Sequence, residues 1–121
     1  MKLQTIMIGS AHPKELSAFY TKVLGAPTWE EGGYTGWALG DSGVMIGEHS
    51  EVKGTSKEPA RLIWNLETDD VKGEFDRIKG TGATVVQELY NPAGDEGDFL
   101  MATFADPDGN YFQIASPAPG M

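Results

Sequence analysis

The chain runs through the same order of elements twice, and a doubled strand–helix–three-strand pattern fits very few folds. In the first half a strand reads over 3–8 and a helix over 13–24. Pro13 suits the first helical position. Leu16, Phe19, Tyr20, Val23 and Leu24 recur at i, i+3, i+4, i+7 and i+8, which makes one apolar stripe, and Gly25 ends it. Short strands follow at 27–30, 34–39 and 44–48, divided by the turn signals Glu31-Gly32-Gly33 and Gly40-Asp41-Ser42-Gly43. The second half repeats the order. A strand covers 61–67. Asp69 or Asp70 caps a helix over 70–80 that carries Val71, Phe75 and Ile78, and strands fit 84–90, 99–105 and 111–115. The last two strands join through Asp106-Pro107-Asp108-Gly109. Pro107 presets a negative φ there, Gly109 accepts a positive one, and Asp106 can bond nearby amides. Ser50 to Pro59 is polar and reads as a linker, residues 91–98 as a mobile acidic loop, and 116–121 as a tail without pattern.

Two βαβββ modules, about 2–50 and 60–116 with a linker at 51–59, predict one domain spanning 1–121. The expected class is α+β: a curved, cup-like mixed sheet with helices on its outer face. The 121 residues and 40% hydrophobic content support a real core. There is no cysteine, so disulfides and thiol chemistry drop out and a reducing cytoplasm is expected. A net charge of −9 repels phosphate backbones and anionic lipid, which argues against nucleic acid and membrane partners. No apolar run approaches the roughly 20 residues that span a bilayer.

Four motifs stand in register across 2–116. They are Phe19-Tyr20-x-x-Val23-Leu24-Gly25-Ala26, Asp69-Asp70-Val71, Gly82-Ala83 and Asp106-Pro107-Asp108-Gly109-Asn110. Together they resemble the vicinal oxygen chelate superfamily of glyoxalase I, extradiol dioxygenases, and fosfomycin- and bleomycin-resistance proteins. The resemblance implies the cup-shaped fold and a homodimer. In metal-dependent relatives it also implies one ligand on the first and one on the last strand of each module. Those positions carry Thr5, Gly47, Ile63 and Gln113 here, of which Gln113 alone is a competent donor. One donor cannot hold a divalent ion against water, so no metal and no cofactor are expected. A bulge that turned Glu48 or His49 inward would build a non-standard site, as would Glu67, which lies on the same strand face as Ile63 four residues on. His12 reads as a helix-start or surface residue.

Strand alternation assigns the cup lining. Thr5 and Met7 on the first strand, with Asn65 and Glu67 on the strand after the linker, face the cup. Turn alignment matches Trp37 to Thr103 and turns both inward with Thr35 and Met101, and Met45, Tyr111 and Gln113 complete the set. Leu62, Trp64 and Leu66 belong under the second helix. The lining is apolar and aromatic with a few polar groups, as small-molecule pockets are. Three functions remain open. The first is metal-free binding of a small hydrophobic or aromatic ligand, with a cation favoured by the acidic charge. The second is an enzyme that uses Glu67, Tyr111 or Gln113 for proton transfer, or an unforeseen metal site. The third is an interaction module whose cup is filled by its own methionines. Trp37 can equally be a packed core aromatic, Trp29 can pack between chains, and Glu67 can pair with Arg61 at the rim.

Overall fold

The computed structural model describes residues 1–94 and 97–117. Asp95 and Glu96 of the acidic loop and residues 118–121 of the tail lie outside the described residues. The chain separates into two compact units, Met1–Thr55 and Ser56–Met121, and the break falls inside the expected linker. The first unit holds β1 (Ile6–Ser10), α1 (Pro13–Leu24), β2 (Trp29–Glu31), β3 (Tyr34–Leu39) and β4 (Ser42–Glu48). A short 3₁₀ turn at Pro59–Arg61 opens the second. It leads to β5 (Trp64–Glu67), α2 (Val71–Lys79), β6 (Thr84–Tyr90), β7 (Met101–Ala105) and β8 (Tyr111–Ala115). The βαβββ order is therefore present twice, in an α+β fold.

Each unit builds a four-stranded mixed sheet, ordered β1-β4-β3-β2 in the first and β5-β8-β7-β6 in the second. In both, the first strand runs parallel to the last and the remaining pairs are antiparallel. The crossover helix that a parallel pair needs is α1 or α2. The register of β1 also corrects its expected bounds. Its partner β4 offers Val44 through Glu48 to Ile6 through Ser10, so the ladder sits later than 3–8. Leu3 is left outside it, accepting a hydrogen bond from Ser42 Oγ at 3.1 Å. The strand expected from residue 61 likewise shortens: the 3₁₀ turn takes Arg61, and the ladder with β8 begins only at Trp64.

The apolar stripe of α1 places Leu16, Phe19, Tyr20 and Val23 in the core of the first unit. Val44 and Ile46 are buried from the sheet. In the second unit Phe75 of α2 packs on Phe104, and Phe104 stacks on Phe112, each at 5.5 Å between ring centroids. Asp70 caps α2 by accepting from the Gly73 amide, which settles the capping choice left open by the sequence. His12 stands at the N-cap position of α1 without a side-chain cap bond, and its own amide donates to Ser10 Oγ.

The turn before β8 is organised by one carboxylate. Buried Asp106 accepts through Oδ1 from the amides of Asp108 at 2.9 Å and Asn110 at 3.0 Å, and through Oδ2 from Asn110 Nδ2 at 3.1 Å. Gly109 takes φ +83° to close the turn. The Ser56 amide donates to Asp108 O, so the same turn anchors the start of the second unit. Asp106→Ala leaves those amides without their acceptor and should destabilise the protein by about 3 kcal/mol in urea unfolding, whereas Asp106→Asn should cost clearly less.

Candidate functional site

Cross-strand register sorts the side chains of each sheet onto two faces. In the second unit Trp64 pairs with Phe112, Phe112 with Phe104, and Ile114 with Ala102. This is the face covered by α2. The opposite, helix-distal face carries Asn65 beside Gln113, Gln113 beside Thr103, Met101 beside Ala115, and Tyr111 beside Ala105. Glu67 belongs to this face by alternation and is exposed at the end of β5. Asn65, Glu67, Met101, Thr103, Tyr111 and Gln113 are thus brought to one surface. Thr103 Oγ1 donates to Gln113 Oε1 at 3.2 Å, which orients the amide and takes one of the two lone pairs of its oxygen. Arg61 does not reach Glu67; it pairs with Glu58 at 3.0 Å.

Two residues of this face were not legible in the sequence. Shifts of register within β6 bring Gln87 opposite Thr103 and Tyr90 opposite Met101. The Tyr90 hydroxyl lies 4.0 Å from the Met101 sulfur. Bulges break strict alternation, and no turn residue in β6 announces them.

In the first unit Met7 pairs with Met45 on the helix-distal face, and Thr5 precedes β1, half-buried. Trp37 is a correction. It pairs with Val44, is 2% exposed, and its indole Nε1 donates to Gly25 O at the end of α1 at 2.9 Å. It is therefore core on the helix side, not lining. Thr35, expected beside it, pairs with Ile46 on the same side. The turn alignment misplaced both because the two hairpins differ in length. Leu39 pairs directly with Ser42 across a tight turn, whereas Ala105 pairs with Tyr111 across a longer one. The two loops differ by an odd number of residues, and an odd difference exchanges the faces.

The aromatics on the helix-distal face of the first unit are Trp29 and Tyr34. Trp29 pairs with Gly36, and a Cβ at Gly36 would run into its indole. A Cβ at Gly47 would likewise run into the Tyr34 ring. An opening of about 850 Å³ lies between α1 and the β2–β3 hairpin, with Lys14, Ser17, Thr35 and Glu48 among its walls and Glu30, Glu31 and Tyr34 lining it from the hairpin.

The profile of the glyoxalase-like domain matches residues 5–115. The chain belongs to the glyoxalase-like domain family. That assignment places it in the vicinal oxygen chelate superfamily. No curated protein matches the sequence. Among solved structures it is similar to a glyoxalase/bleomycin resistance protein/dioxygenase family enzyme from Burkholderia phytofirmans PsJN, at 21% identity and a TM-score of 0.74, covering 96% of this chain and 98% of that one. A glyoxalase-related enzyme from Fulvimarina pelagi superposes with a TM-score of 0.74 at 16% identity, covering 97% and 88%. TioX from Micromonospora sp. ML1 gives 0.74 at 15% identity, covering 96% and 98%. Likeness at these identities shows the shared fold.

The glyoxalase-like fold raises the question of a metal, and the donor set of this chain does not fit one. Gly47 offers no donor, and the Tyr34 ring fills the volume a side chain there would need. Thr5 and Ile63 both lie outside the strands that would aim them, and Gln113 Oε1 is engaged by Thr103. The substitutes fare no better. Glu48 pairs with Ser10 and so belongs to the helix side, while His49 Nδ1 accepts from the Glu51 amide at 3.1 Å. Among the described residues no three histidine or acidic side chains gather to hold an ion.

The revised place of Trp37 is open to direct measurement. Trp37→Phe removes the bond to Gly25 O and should cost about 1 kcal/mol, and Trp37→Ala about 3–5 kcal/mol, both read by denaturant unfolding. Ligand affinity of the folded Trp37→Phe protein should stay within twofold of the wild type.

Proposed function

We propose that this glyoxalase-like domain, acting as one domain over 1–121, binds a small hydrophobic or aromatic molecule on the helix-distal faces of its sheets, without a metal. The observation that carries this reading is the composition of the β7–β8 surface. Met101 and Tyr111 offer apolar and aromatic contact, Thr103 and an oriented Gln113 amide offer polar selection, and the opposite face is already committed to the core. Protection by sequestration needs no bond to break, and nothing in this set requires one. A cationic ligand suits the net charge of −9. Catalysis by Glu67 finds less support, because that carboxylate is exposed and lacks the apolar enclosure a poised base requires.

No helix among the described residues is long and apolar enough to cross a membrane. The cytoplasm is the proposed compartment, on the absence of cysteine. A homodimer is proposed from exposed apolar side chains such as Leu62 and Val86.

Isothermal titration with a planar aromatic probe tests the binding reading. Tyr111→Ala, checked for folding by circular dichroism, should weaken binding about tenfold by removing one aromatic contact surface. A chelator should leave the thermal midpoint unchanged, since no metal affinity is coupled to folding. Light scattering at micromolar concentration should give twice the 13.0 kDa chain mass. Stoichiometric zinc, nickel, iron or manganese surviving dialysis would overturn the metal-free reading and put an enzyme first.

A further inference from the structure

Cross-strand pairing aligns two rows on the helix-distal face of the first unit. One row runs Met7, Met45, Gly36, Trp29 across all four strands. The next runs Gly9 and Gly47 on β1 and β4, then Tyr34 and Glu31 on β3 and β2. Three glycines lie in these rows, and each is covered by a side chain of the same unit. The Trp29 indole lies over Gly36 and the Tyr34 ring over Gly47. The Cβ of His49 lies 2.9 Å from where a Cβ at Gly9 would sit. Without a Cβ beneath them, the two rings settle against the backbone instead of standing away from it. A ring held this way loses little entropy when a second ring stacks on its outer side.

Core packing does not explain this arrangement. Trp29 remains 42% exposed, on a three-residue strand whose other side chains are glutamates, and Met7 on β1 remains 41% exposed. Glu31 pairs with Tyr34, so its carboxylate rises from the same face as both rings. Two rings, two methionines and one carboxylate are the groups that recognise a flat organic cation. The rings supply stacking and cation–π attraction, the methionines adaptable apolar contact, and the glutamate a counter-charge.

We infer that Trp29 and Tyr34, seated over Gly36 and Gly47 beside Glu31, form a recognition platform for a planar aromatic cation. This rests on the binding reading above and extends it: the ligand class becomes a flat cation, and specificity is set by β2 and β3. The mode is stacking instead of chelation, because the Tyr34 ring stands where a side chain at position 47 would reach.

The test compares 1-methylquinolinium, its neutral analogue 1-methylnaphthalene, and tetramethylammonium, by titration calorimetry on the whole chain. The quinolinium should bind at least about fivefold tighter than either of the others, since only it combines a π face with charge. Trp29→Leu and Tyr34→Leu should each weaken it about tenfold, while Trp29→Phe, which keeps a ring, should lose less than threefold. Glu31→Gln should weaken binding about threefold at low salt and have no effect in 1 M salt, where an exposed charge is screened. Thermal melts confirm that each variant is folded, and Trp29→Phe keeps the test decisive if a leucine variant is not. If the leucine variants bind like wild type while Tyr111→Ala does not, the platform is wrong and the broader binding reading stands. If wild type binds none of the three probes, both fall. If Trp29→Leu instead halves the mass seen by light scattering, the face is an interface between copies of this chain, and the platform is overturned.

Discussion

One apolar helix stripe per module, pressed against one side of a four-stranded sheet, fixes everything else in this protein. Leu16, Phe19, Tyr20 and Val23 engage one sheet, and Val71, Phe75 and Ile78 the other. Each buried aliphatic or aromatic side chain contributes about 1.5–3 kcal/mol, which commits the large residues of β4, β7 and β8 on that side to the core. Strand alternation then turns the other side away from the helix. Binding groups can be written there without disturbing the fold, which is how one architecture hosts unrelated functions.

Glycine in the first sheet shows how that freedom is used. Gly36 and Gly47 do not serve turns; neither has a positive φ. Each makes room for a ring from a neighbouring strand. At position 47 this has a chemical consequence. A glycine there removes a metal donor, and the ring above it keeps a replacement donor from being accommodated without rearrangement. Absence of a donor and presence of an aromatic wall are thus one feature seen from two sides.

The second sheet reaches a comparable surface by different means. Its polar groups are held by side-chain bonds, as with Thr103 and Gln113, and the bulged β6 adds Gln87 and Tyr90 to the face. Two modules with the same topology therefore carry different surfaces. The doubled pattern is a property of the backbone and core, and the side chains of the helix-distal faces do not share it.

The repeat, both helices, the Asp69-Asp70 pair that starts the second and the Asp106 turn were legible in the sequence, because each rests on interactions within a few residues or on a period of 3.6. The face of the second sheet was legible too: the expected residues of β5, β7 and β8 lie together there, since those strands keep strict alternation. What failed was β3 of the first sheet, where Trp37 and Thr35 belong to the helix side and Tyr34 to the open one, while Met7 and Met45 share the face that alternation gave them. The cause is the length of one hairpin loop relative to the other, a matter of pairing register that no single strand encodes. The seating of rings on glycines and the bulges of β6 are likewise contacts between strands distant along the chain. The sequence by itself determined which segments become helix and strand. Tertiary structure decided which side of the sheet each aromatic faces, because that choice is made by the partner strand and not by the residue.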